Sequence, residues 1–139
     1  MSKTAEVIAR GLRSFSTRLN VLASNLANLQ TTKTETGEPY KEKMVVQRAV
    51  NLGFDDILND AIKAPEVLAV VESGKPPRLV FDPHHPDADE NGYVAYPDMN
   101  PALLMTELIS VTKNYQANLK VWDSLNEMTR AVRDLVRNI

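Results

Sequence analysis

The sequence predicts an α+β chain, with one long helix at each end and a small β-rich module between them. Three observations carry this. Apolar residues recur in steps of three and four at both termini, all eight prolines lie between Pro39 and Pro101, and the intervening stretch tends toward a period of two. Steps of three and four line up one stripe of a helix, proline breaks helices, and alternation marks a half-buried strand. The expected division is a helix in residues 1–31, the β-rich module in 32–101 and a second helix in 102–139.

The first helix is expected over residues 3–29, with a seam through Ile8, Leu12, Phe15, Leu19, Leu22, Leu26 and Leu29. It should stop there because residues 30–36 are polar and threonine-rich, and Gly37 to Pro39 is turn chemistry. From Tyr40 the spacing of Tyr40, Met44, Val46 and Val50 points to one face of a strand. Residues 51–66 are ambiguous, and Phe54 to Ile62 reads as a short helix stopped before Pro65. Residues 67–72, 78–81 and 92–96 read as short strands. Pro101 suits the first turn of the last helix, with Asp98 or Asn100 as its cap. That helix is expected over residues 102–138. Its seam runs Leu104, Leu108, Val111, Tyr115, Asn118, Trp122, Leu125, Thr129, Val132, Val136 and Ile139.

Helices of these lengths would measure roughly 40 and 55 Å. The middle module is too small to cover both, so much of each seam must face the other helix or another chain. An isolated monomer is accordingly expected to be only partly ordered. Repeats of this coiled-coil type at both ends suit a building block for an assembly.

The formal net charge of −2 excludes the strongly basic class expected of nucleic-acid binders. The charge is uneven: the two ends are mildly basic, whereas the middle carries thirteen acidic and seven basic residues. There is no cysteine, hence no thiolate metal site. No secretory signal pattern opens the chain and no apolar run is long enough to span a membrane. Export, if it occurs, is expected to use a route that needs no cleaved signal.

Chemical motifs are sparse. Asp87, Asp89, Asn91 and Gly92 fit the first half of a calcium loop, with Val94 and Asp98 at later positions. Pro83, Pro86 and Pro97 forbid the flanking helices that such a loop needs, so the segment reads as a turn between strands. His84 and His85 are adjacent and point to opposite sides of an extended chain, which prevents them from sharing a metal. Arg78 and Asp82 alternate onto one strand face and read as support for the module. With no phosphate loop, nucleophile elbow or paired acids besides, no enzyme, cofactor or metal site is expected.

The backs of the helices are more informative. Residues 19–32 contain no charge, and opposite the first seam lie Thr17, Asn20, Ser24, Ala27 and Asn28. A solvated helix normally covers this face with Lys and Glu. Asparagine weakens a helix, so something should compensate for three of them within nine residues. Small residues permit close approach, and carboxamides satisfy donors and acceptors across a contact without burying charge. The face therefore reads as packing against neighbouring subunits. The second helix repeats the device in Asn114, Tyr115, Gln116, Ala117 and Asn118, the last within the seam, where one amide fixes register. Trp122 reads as a seam packing residue.

Residues 18–28, Arg-Leu-Asn-Val-Leu-Ala-Ser-Asn-Leu-Ala-Asn, resemble the N-terminal signature of the flagellar rod and hook axial protein family. The segments 39–41, 76–83, 85–89, 91–94 and 114–118 resemble its proximal rod members, in order and at fitting spacing. Residues 51–72 depart from that pattern, lacking the Gly-Val-x-Val strand. The resemblance implies a structural subunit of the bacterial flagellar basal body, exported by the flagellar type III apparatus and assembled with itself and other rod proteins. It also implies that the terminal helices pair antiparallel and pack into the inner tube of the rod. By position, the assembly residues are Leu19, Asn20, Ala23, Ser24, Asn25, Leu26, Ala27 and Asn28, with Tyr115, Gln116, Ala117, Asn118 and Trp122. Phe15 followed by Leu19 fits the family's export-gate contact. The competing reading is a non-flagellar coiled-coil adaptor or binding module, with calcium regulation through its acidic loop as one variant.

Overall fold

The computed structural model describes residues 3–51 and 63–137. Two helices, α1 (Lys3–Ala27) and α2 (Pro101–Arg137), bracket four strands: β1 (Lys43–Asn51), β2 (Lys63–Glu72), β3 (Arg78–Phe81) and β4 (Tyr93–Tyr96). The strands form two separate two-stranded antiparallel sheets, β1 with β2 and β3 with β4. The α+β class holds.

The seam of α1 meets the first half of α2. Leu22, Leu104 and Val111 form the buried cluster, with Phe15, Leu19, Leu29, Met99 and Leu108 packed around it. Gly11 lies against Asn118. Rising numbers on α1 thus meet falling numbers on α2, and the helices run in opposite directions. Burying side chains of this size stabilises the pair by about 1.5–3 kcal/mol each. The capping of α2 falls to Asn100, whose Oδ1 accepts from the backbone N–H of Ala102 at 3.0 Å and of Leu103 at 3.3 Å.

A second face of α1 is also covered. Ser14 donates to Gln47 of β1 at 3.1 Å, and Glu6, Arg10, Arg13 and Thr17 border a cleft whose other wall is Pro65, Glu66 and Val67 of β2. The β1–β2 ribbon therefore lies along α1 on the flank beside the α2 contact. It pairs from Lys43 opposite Glu72 to Asn51 opposite Lys63, with a bulge where Val46 faces Ala69 and Gln47 faces Val67. Leu68 is the extra residue.

Three expectations change here. The second strand begins at Lys63 rather than at residue 67, so residues 63–66 are extended, and the short helix expected over 54–62 lies outside the described residues. Each strand of a two-stranded ribbon is an edge, and an edge strand tolerates a proline such as Pro65 at a position whose N–H would face away from the partner. Tyr40 precedes β1 and does not share its face, and Met44 and Val46 stay exposed rather than half-buried.

The β3–β4 hairpin buries Val94 completely. Arg78 lies over the Tyr96 ring at 5.9 Å, and Phe81 meets Tyr93 edge-on at 5.3 Å. In the intervening loop the carboxylates hold the chain itself. Asp89 Oδ1 accepts from the N–H of Asn91 and of Tyr93 at 2.9 and 2.8 Å, and Asp87 accepts the Thr32 hydroxyl at 2.8 Å. Gly92 closes the turn at φ +80°, with Phe81 only 3.0 Å from where a Cβ would stand.

Candidate assembly surface

The carboxamide face of α1 divides into residues that bind the chain itself and residues that face outward. Asn25 is 1% exposed. Its Nδ2 donates to the Lys43 carbonyl at 2.8 Å, and its Oδ1 accepts from the Lys43 N–H at 2.9 Å and from the Tyr40 hydroxyl at 3.0 Å. One side chain thus pairs with both backbone groups of a residue that opens β1. Such two-sided pairing leaves no buried polar group unmatched. Ser24 joins the same network through its hydroxyl, 3.1 Å from that of Tyr40. Asn25 is therefore turned toward the chain's own strand and is not presented to a neighbouring subunit. The expectation was a contact with a neighbouring subunit, whereas the amide bonds of Asn25 are made within the chain.

Asn28 is spent locally. Its Nδ2 donates to the Ser24 carbonyl at 2.8 Å and its Oδ1 accepts from the Thr31 hydroxyl at 3.0 Å, finishing α1 as the chain turns. Leu19 packs on the core cluster and Leu26 is half-buried. Asn20, Ala23 and Ala27 are exposed, and they form the part of this face that is free in the chain.

On α2, Tyr115, Asn118 and Trp122 are half-buried along the seam, whereas Gln116 and Ala117 are exposed. Asn118 donates to the Asn114 carbonyl at 2.9 Å and turns its oxygen toward Gly11. The seam is covered as far as Leu125. Beyond it Thr129, Val132 and Val136 keep the spacing but are exposed, the valines at 60% and 69%.

Residues missing from the expected set are the exposed apolar ones on α2: Leu103, Met105, Ile109, Val121, Met128 and Leu135. The signal was present for three of them, since Val121, Met128 and Leu135 stand seven apart. Tyr40 was missed as the partner of Asn25, because nothing in spacing alone joins positions fifteen apart across a turn.

The total accessible surface is 10014 Å². A compact monomer of this mass exposes roughly 7,200 Å². The excess is of the size that subunit interfaces bury. Among the described residues no helix is long and apolar enough to cross a membrane, and no cluster of three potential metal ligands occurs.

Comparison with known proteins gives the family. A family model described as "Flagella basal body rod protein" matches residues 6–33, and one described as "Flagellar basal body rod FlgEFG protein C-terminal" matches residues 90–135. The matches fall on the two helices and the strand leading into α2, and they define the class as flagellar basal-body rod proteins. Over most of its length the chain is similar to the flagellar basal-body rod protein FlgC of Salmonella typhimurium, with 36% identity over 123 residues and 88% of each chain covered. It is 34% identical over 133 residues to FlgC of Bacillus subtilis, covering 88% of this chain and 89% of the relative. To FlgC of Aquifex aeolicus it is 32% identical over 123 residues, covering 88% and 87%. The chain belongs to the flagellar basal-body rod protein FlgC family. Its role is structural, in the rod of the flagellar basal body.

Proposed function

We propose that this chain is a subunit of the proximal rod, and that α1 and α2 pair as a coiled coil to form the wall of the tube through further contacts with itself and other rod proteins. The β-rich middle, residues 32–101, faces outward from that wall, with its β1–β2 ribbon laid along α1. The assembly contacts are made by Asn20, Ala23 and Ala27 on α1 and by Gln116 and Ala117 on α2. Leu19, Leu26, Tyr115, Asn118 and Trp122 hold the two helices in register. In this reading the protein catalyses nothing.

The observation that carries the reading is the pairing of excess surface with uncharged exposed helix faces. A solvated face carries charge, and a face meant for a neighbour is depleted of it. Export follows the flagellar type III route in an unfolded state. Phe15 and Leu19, the candidates for export-gate contact, are packed against the core cluster once the chain is folded.

A deletion strain tests the reading. It should lack a complete rod and swim only when the gene is restored, and a density map of the rod should trace this chain with both helices in the wall. A deletion strain that builds complete basal bodies overturns it.

A further inference from the structure

Resting on the subunit reading, we propose that the bare face of the β3–β4 hairpin docks on the outer face of the β1–β2 ribbon in a second copy of this chain.

Each sheet has one covered face and one open face. On the ribbon, Gln47 meets Ser14 and Val67 borders the cleft with α1, so the residues that alternate with them point away from the helix. These form the cross-strand pairs Met44 with Val71 and Val46 with Ala69, and all four are exposed. Leu68, the extra residue at the bulge, stands exposed beside them. On the hairpin, Val94 is buried and its partner Val80 is half-buried, which leaves the alternate set, Leu79, Phe81 and Tyr93, outside. Leu79 and Phe81 are 62% and 64% exposed. Apart from Val70, every exposed large apolar residue described outside the helices belongs to one of these two patches.

A sheet that is apolar on one face needs a second layer to bury it. Within one chain neither open face has such a layer. Among the described elements the hairpin packs on neither the ribbon nor the helices, and the ribbon packs on α1 alone. Two apolar faces thus stand on the same chain without meeting, and an assembly of copies can bring one to the other.

The faces match in size, shape and charge. Each apolar patch runs about 7–10 Å along its strands. The hairpin presents an aromatic ridge that is fixed in advance. Phe81 lies so close to Gly92 that a Cβ there would stand 3.0 Å from its ring, and it meets Tyr93 edge-on. A ring held in place before docking loses little entropy on docking. The ribbon presents small and β-branched side chains with one methionine, which adapts its shape to a ring. Residues 78–96 carry Asp82, Asp87, Asp89 and Glu90 against Arg78 alone, whereas β1 carries Lys43 and Arg48 and no acid. Opposite rims favour hairpin on ribbon, and like rims disfavour hairpin on hairpin.

Donor and acceptor are different surfaces, so the contact is heterologous and repeats from copy to copy. It is also small. A few side chains on each partner fall short of the roughly 800 Å² per partner of a stable interface. The contact therefore does not hold free chains together, and it forms where the rod already brings copies side by side.

The test is made in assembled rods. A full-length chain carrying Leu79→benzoylphenylalanine, a photo-reactive residue, is expressed in a deletion strain, and isolated basal bodies are irradiated. The adduct should migrate as a dimer of this chain, and its mapped peptide should fall in residues 43–48 or 68–72 of the second copy. An adduct within a single chain, with residues 78–96 or a terminal helix of another copy, or with a different rod protein overturns the proposal. So does the lack of any adduct in basal bodies with complete rods. In each of these cases the subunit reading survives; a chain absent from the basal body sinks both. As a second measure, Leu79→Asp should lower incorporation into rods by about fivefold, the loss expected of one anchor in a docked patch. The soluble chain should keep its helix content and unfolding midpoint. Adding Val46→Lys to the same chain should restore incorporation by pairing the new charges across the contact. Undiminished incorporation of Leu79→Asp, or no restoration by Val46→Lys, counts against the proposal.

Discussion

Asn25 and Gly92 show how single residues fix this fold. Removing the Asn25 side chain in Asn25→Ala strips the partners from both backbone groups of Lys43. Each buried group left unmatched costs about 1–3 kcal/mol, so a loss of about 2–6 kcal/mol should appear as a lower urea midpoint. An unchanged midpoint would mean that β1 is held by the ribbon alone. The two left-handed glycines make a matched pair. Gly37 has φ +82° and open space around it, whereas Gly92 has φ +80°, and a Cβ added there would stand 3.0 Å from Phe81 and 3.2 Å from Pro83. Alanine at residue 37 should cost only the backbone strain of about 1–2 kcal/mol, and alanine at residue 92 measurably more, read as two thermal unfolding curves. The asparagines were legible in the sequence as residues in need of a contact. Which contact each one makes was not, since the partner of Asn25 comes from a loop that only folding brings to the helix.

At the scale of elements, the pairing of α1 with α2 separates residues that stabilise the monomer from residues that do not. Leu22→Ala empties space in the buried cluster and should cost about 2–5 kcal/mol in equilibrium unfolding. Val132→Ala, on the uncovered part of the same seam, should stay within about 0.5 kcal/mol of the parent. Gly11 offers the opposite sign. A Cβ there meets only the Asn118 oxygen at 3.7 Å, an ordinary contact, and a glycine inside a helix carries extra unfolded-state entropy. Gly11→Ala should therefore raise stability by about 0.5–1 kcal/mol. Both helices were legible from their periodicity to within a few residues, and Asn100 was one of two caps foreseen. The start of β2 was not, because Pro65 suggests a break and only its place on an edge makes it harmless.

Considered whole, the molecule is a helix pair with one long unpartnered end and a ribbon laid along α1. That arrangement sets where a protease can enter. Trypsin acting on the soluble chain should cut first at Arg130, Arg133 and Arg137, and more slowly at Arg13 and Arg18, where α1 is covered on two sides. Protection of the α2 sites on assembly should follow. Early cleavage within α1 would instead indicate that the ribbon does not hold it in solution, as the expectation of a partly ordered monomer supposed.

The sequence by itself determined the two helices, the confinement of strands to the middle, the uncharged backs of the helices and the axial-protein resemblance. Each depends on spacing or local chemistry, which can be read along the chain. Only the tertiary structure decided which polar face turns inward. Two flanks of α1 carry small and amide residues, and local sequence gives both the same character. The β1–β2 ribbon covers the flank with Ser14 and Asn25 and leaves Asn20, Ala23 and Ala27 outside. The tertiary structure likewise decided where the seam of α2 loses its cover, because that point depends on the relative lengths and register of two helices far apart in the chain.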